Sequence, residues 1–157
     1  HIDQEQIPSW TEGEIQIKLI AGEAFGRKSA VPVYNKLFMI EIKSTTKQVI
    51  NIGHHLYGES GLYILEGSIE SDGNVYQPKQ LLVTKESSLC QFTIQASSTI
   101  YIFGGESFPE ERFIDWNFVS SRKEVIKEAK QRWKAQTFPK IKGDETEFIT
   151  YPLLIKK

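Results

Sequence analysis

The sequence has little of what most small catalytic or metal-binding domains are built from. Its 157 residues contain one cysteine, Cys90, one methionine, Met39, and three histidines, His1, His54 and His55. A single thiol excludes an internal disulfide and every zinc pattern that needs several thiolates, and it predicts a reducing, cytoplasmic setting. No apolar run approaches the roughly 20 residues that span a bilayer, and no charged-then-apolar leader opens the chain, so no membrane partner is expected. Charge of one sign is also missing. Nineteen Lys and Arg face twenty Asp and Glu, a formal net charge of -1, which leaves no global field to gather nucleic acid. The chain begins His1-Ile2-Asp3 while its one methionine lies inside an apolar run, so a portion of a longer protein is expected.

What is present is β patterning. A chain of this length buries roughly 68–70 % of its unfolded surface, enough for a core without staples. Ile15, Ile17 and Leu19 alternate with Gln16 and Lys18, the period-two signature of a strand over 14–20 with one buried face. Further strands are predicted over 37–43, 48–52, 61–65, 68–70, 75–77, 80–84, 89–95 and 99–103. Short strands with frequent turn signals predict a sandwich or barrel. Residues 21–32, with two glycines and a closing proline, read as a long loop. Ser71-Asp72-Gly73-Asn74 predicts a hairpin turn. Cys90 shares a face with Phe92 and Ile94 and reads as a packed core thiol.

After Gly104-Gly105 the character changes. Ser121-Arg122-Lys123-Glu124 matches a capping box opening a helix over about 121–136. Its apolar stripe is Val125, Ile126, Ala129 and Trp133, Glu128 and Arg132 stand one turn apart for an ion pair, and Phe138-Pro139 ends it. The tail, 137–157, reads as an extended arm whose Phe148, Ile149 and Tyr151 dock on this domain or a neighbouring one.

Metal-ligand chemistry concentrates in one stretch, Gly53-His54-His55-Leu56-Tyr57-Gly58-Glu59, between two predicted strands. The layout resembles the first motif of the cupin superfamily, His-x-His, a short gap, Glu, then a strand ending in Gly, with Gly53 standing at the first histidine position. A metal centre needs three or four protein ligands, and only His55 and Glu59 are on offer. The stretch matching the second cupin motif, Gln77-Pro78-Lys79-Gln80-Leu81-Leu82-Val83-Thr84, contains no histidine. A structural or pocket-lining role is therefore expected for both histidines, His55 facing the barrel and His54 outside, with His55 and Glu59 as weak candidate ligands and no catalytic residue. Glu59 and Glu66 are an odd number of positions apart, which places them on opposite faces of a regular strand. The Arg27-Lys28 pair could receive an anion but is more often simply solvated.

Several segments together resemble the carboxy-terminal half of pirin family proteins, which are two-domain cupins. They are Ile7-Pro8, Ala21-Gly22-Glu23-Ala24-Phe25-Gly26, Leu62-Tyr63-Ile64-Leu65-Glu66-Gly67, Phe103-Gly104-Gly105-Glu106-Ser107, Asp115-Trp116-Asn117-Phe118-Val119-Ser120-Ser121, Phe138-Pro139 and Gly143-Asp144-Glu145-Thr146-Glu147-Phe148-Ile149. The resemblance covers essentially the whole chain. It implies a single cupin-type antiparallel barrel, a jelly roll over about 14–118 within a domain 1–157, carrying one carboxy-terminal helix. It further implies a metal-free half that partners an amino-terminal cupin holding iron or another divalent metal. Residues 22–32 and the helix near Trp133 are the expected contacts. Relatives act as quercetin 2,3-dioxygenases or as transcriptional cofactors, so a parent enzyme, a protein-interaction module and a homodimer are all compatible with the resemblance.

Overall fold

The alternation that begins at Ile15 does not stop at Leu19. In a computed structural model describing residues 2–84, 91–144 and 146–152, strand β2 runs Ile15–Ala24. It follows β1 (Ser9–Glu12) and turns tightly into β3 (Arg27–Lys28). The expected long loop over 21–32 is thus strand and hairpin as far as Lys28. Both glycines have positional reasons. Gly22, at φ +75°, pairs with Phe38 beyond the register shift between Leu19 and Ala21, and a Cβ there would sit 1.7 Å from the Leu37 carbonyl oxygen. Gly26 follows Phe25 in a two-residue turn, both with positive φ.

The remaining strands are β4 (Leu37–Ser44), β5 (Gln48–Asn51), β6 (Glu59–Glu66), β7 (Ile69–Ser71), β8 (Asn74–Tyr76), β9 (Leu81–Thr84), β10 (Gln91–Ile94) and β11 (Ser98–Gly105). The order in one sheet is β1-β2-β4-β11-β6-β9, with β3 on β2, and in the second β5-β10-β7-β8. All pairings are antiparallel. The Asp72-Gly73 hairpin forms between β7 and β8 as its sequence predicts, with φ of 51° and 74°. Strand β1 was not legible, because Ser9-Trp10-Thr11-Glu12 is too short and polar to show a period.

Register explains the core. Leu19, Ile40, Ile102, Leu62 and Leu82 are Cα partners in one row across five strands, and Ile17, Ile42, Ile100 and Ile64 in the next. Ile50, Ile69, Phe92 and Ile94 of the second sheet join the same buried cluster, so the two sheets share one aliphatic interior. Between the inward rows lies an outward one, Lys18, Glu41, Tyr101, Tyr63 and Leu81. There the Tyr101 hydroxyl donates to Glu41 at 2.8 Å and Lys43 approaches the same carboxylate at 3.2 Å. Phe92 and Ile94 share the buried face expected of them, while Cys90 lies outside the described residues.

Residues from Phe108 onward make a second compact unit. A hairpin of β12 (Phe113–Asp115) and β13 (Phe118–Ser120) precedes helix α1 (Lys123–Lys134). The helix starts later than its capping-box reading. Arg122 is the N-cap and makes no side-chain cap, and the Ser120 hydroxyl instead accepts from the Arg122 amide at 3.1 Å. Ile126 is the buried residue of the stripe, whereas Val125 is 36 % exposed. Arg132 makes no ion pair with Glu128 among the described residues; its guanidinium lies 4.3 Å from the Phe138 ring centroid. The tail returns to the helix and hairpin, where Trp133 Nε1 donates to the Ile149 carbonyl at 2.7 Å and the Tyr151 hydroxyl donates to Asp115. Trp116, at φ 55°, packs edge-on against Phe118, Trp133 and Tyr151. No helix among the described residues is long and apolar enough to cross a membrane.

This packing separates two leucines on neighbouring strands. Leu62→Ala, at a fully buried position, is expected to cost about 2–5 kcal/mol in denaturant unfolding. Leu81→Ala, at a residue 53 % exposed on the outward row, should stay within about 0.5 kcal/mol.

Candidate functional site

The two histidines sit on a single 3-10 turn, Gly53–His55, that enters β6. Ile52 and Leu56 bracket that turn and are buried at 4 % and 7 % exposure. Their burial anchors the turn, together with hydrogen bonds from the His55 amide to the Ile52 carbonyl (2.9 Å) and from the Leu56 amide to the Gly53 carbonyl (3.1 Å). His54 is exposed and His55 half-buried. The rings of His54 and His55 lie 3.8 Å apart between centroids, and His55 leans on Phe25 at 4.3 Å. Phe25 in turn meets the edge of Trp10 at 5.3 Å. His55 thus faces an aromatic stack rather than the aliphatic rows of the barrel interior.

These rings border an open cleft of about 430 Å³, lined also by Glu23, Ala24, Gly26, Arg27, Lys28, Lys36 and Tyr57. Its floor is tied down by the Tyr57 hydroxyl, which donates to the Leu37 carbonyl at 2.9 Å with the Glu23 carbonyl 3.2 Å away. Two of its three cations are spoken for. Lys28 pairs with Glu23 at 2.7 Å, and Lys36 with Glu106. The Lys28 hydrogen bond holds the Glu23 carboxyl below its ordinary range, and the Glu106 carboxylate raises the Lys36 ammonium. Burial, with the neighbouring His54 acting in the same direction and Glu12 against it, lowers the His55 pKa from 6.5.

Glu59 stands apart from this cleft. Strand alternation puts Ser60, Leu62 and Ile64 on the inner face of β6 and leaves Glu59 exposed at its first position, paired in register with Gly105. Glu66 is exposed at the far end of the same strand. Among the described residues no three His, Cys, Asp or Glu side chains come together to hold a metal ion. The described donors therefore do not make up the three or four ligands of a mononuclear centre.

In the carboxy-terminal unit, Trp133, Phe138, Ile141 and Phe148 line a groove of about 300 Å³. Beside the aromatic cluster, Asp115 pairs with Lys130 at 2.5 Å, and hydrogen bonds from Lys130 and Tyr151 hold the Asp115 carboxyl below its usual range. Sequence reasoning singled out His54, His55 and Arg27 but not Phe25, Trp10 or Tyr57 as their surroundings. Only the strand reading of 21–24, with Phe25-Gly26 as a two-residue hairpin turn, could have placed Phe25 beside them.

A family model of the pirin C-terminal cupin domain matches residues 39–139. A pirin-like protein of Caulobacter vibrioides is 37 % identical over 152 residues, 97 % of this chain and 52 % of that protein. A Pseudomonas aeruginosa protein provisionally described as a quercetin 2,3-dioxygenase is 26 % identical over 129 residues, 82 % of this chain and 41 % of its own length. Among solved structures, quercetin 2,3-dioxygenase from Acinetobacter baumannii superposes with a TM-score of 0.77 at 21 % identity, covering 96 % of this chain and 52 % of that one. At that identity the likeness is one of fold. The chain spans about half the length of the relatives it matches.

The geometry at His55 makes a titration prediction. A folded His55 releases its proton more readily than an unfolded one, whose pKa is 6.5. The unfolded chain therefore takes up more protons as pH falls through that value, and stability declines there, while above about pH 7 the residue's contribution is fully present. Replacing the neighbour, His54→Gln, removes one of the two lowering causes. The His55 ring titration followed by NMR should then move up toward the ordinary histidine value, and an unmoved curve would leave burial as the whole cause.

Proposed function

The chain belongs to the pirin family, as its carboxy-terminal cupin domain, and from that membership we propose that it is the metal-free, non-catalytic half of a two-cupin protein. In this reading it serves as scaffold and partner for an amino-terminal cupin that holds iron or another divalent metal. The observation that carries the reading is the interior. A cupin metal is held by polar side chains converging inside the barrel, whereas here the central inward positions of β4, β11 and β6 are Ile40, Ile42, Ile100, Ile102, Leu62 and Ile64, all 0 % exposed, with only the small hydroxyls of Ser44, Ser98 and Ser60 toward the strand ends. None of these aliphatic side chains offers a donor atom to an ion. Glu59, one of the two weak candidate ligands, lies on the other face of its strand.

A second reading concerns the parent protein. Relatives carry the name quercetin 2,3-dioxygenase, which favours an iron-dependent oxygenase whose chemistry resides in the other half, where a bound metal would polarise and orient its reactants. The residues of this chain then contribute packing and no catalytic group. Flavonol turnover by a full-length parent, with none by this chain alone, is the expected pair of outcomes.

Anaerobic loading with Fe(II), desalting and metal analysis test the main reading. Below about 0.1 iron per chain is expected here, with His55→Ala making no difference. Stoichiometric iron that disappears in His55→Ala would overturn it.

A further inference from the structure

The cleft beside the histidines holds polar groups that the fold itself does not use. Arg27 is its one lining cation without a carboxylate partner among the described residues, and its guanidinium carbon is held 4.6 Å from the centroid of the Trp10 ring. Neither the His54 nor the His55 imidazole hydrogen-bonds to protein among the described residues. Both rings are instead exposed in part, tilted by 46° against one another, and His55 is tilted by 36° against Phe25. Glu12 is near enough to act on His55, but its carboxylate accepts from the Trp10 indole N–H at 2.8 Å and does not line the cleft.

The backbone is strained to place one of these rings. Phe25 adopts φ +54° at the first position of its two-residue turn, a conformation that Asn or Gly takes cheaply and a bulky aromatic does not. An aromatic ring at that position meets both Trp10 and His55, which a turn-forming Asn would not. Next to it, Lys36 lies over the Tyr57 ring at 4.7 Å while paired with Glu106. The cleft therefore combines a tilted wall of flat rings, an oriented guanidinium without an anion, and imidazole nitrogens able to donate or accept.

We propose that the cleft between the Phe25-Gly26 turn and the Gly53–His55 turn binds a planar aromatic carboxylate, its ring against Phe25 and the histidines and its carboxylate on Arg27. A guanidinium presents the fork that a carboxylate accepts in two bonds, and offset ring contacts supply the flat-face selectivity. The site is independent of metal status, so it stands or falls separately from the scaffold reading.

The probe is 1-naphthoate, titrated into this chain while the histidine ring signals are followed by NMR; with three histidines in the sequence, His54→Gln and His55→Gln assign them. Saturable shifts at His54 and His55 are expected. Affinity should fall about tenfold or more for Arg27→Ala, for the neutral 1-naphthamide and for the non-aromatic cyclohexanecarboxylate. Phe25→Asn keeps a residue suited to the left-handed turn while removing the ring, and it should weaken 1-naphthoate by a comparable factor with the thermal melt confirming a folded chain. The two analogues read the same features on the unaltered protein. Absence of saturable shifts at both histidines, equal binding of 1-naphthoate and cyclohexanecarboxylate, or equal binding of 1-naphthoate and 1-naphthamide would overturn the proposal.

Discussion

The register of β4, β11 and β6 is the constraint on which the amino-terminal unit depends. It aligns Ile40, Ile102 and Leu62 in one row and Ile42, Ile100 and Ile64 in the next, and each of the six is sealed from water. A slip of one residue would turn every one of them outward and bring Glu41 and the tyrosines Tyr63 and Tyr101 in. The same alternation decides the chemistry. The two rows of branched aliphatic side chains along these three strands carry no donor atom for an ion, and their burial stabilises the unit. The two histidines lie on the turn before β6, where they border an aromatic cleft.

The two units solve a local problem in the same way. Phe25 and Trp116 each occupy a left-handed position at the tip of a two-residue hairpin turn, where Gly or Asn would be less strained. In each unit the ring so placed becomes the centre of an aromatic cluster. Phe25 lies between Trp10 and His55, and Trp116 lies among Phe118, Trp133 and Tyr151. Strain at a turn is repaid by ring packing.

Much of this was legible in the residues. The alternation at Ile15 to Leu19, the Asp72-Gly73 hairpin and the amphipathic pattern through Ile126 and Trp133 each follow from a local rule, and each element forms. The failures share a physical cause, which is that partners distant in sequence set the outcome. Gly22 reads as a loop residue until Leu37 is seen crossing above it, and the capping signal at Ser121 yields to a helix that begins at Lys123. For the candidate site, the histidine pair and Glu59 were legible as residues in the sequence. That Glu59 faces away from the interior while Phe25 packs on His55 needed the strand register and the hairpin.

The proposal that this cupin half holds no metal is tested most directly by linkage. A metal that binds the folded chain must raise its melting temperature. Anaerobic thermal unfolding with excess Fe(II) and with a chelator should give superimposable transitions. A rise of several degrees in the presence of metal, lost in His55→Ala, would contradict the account.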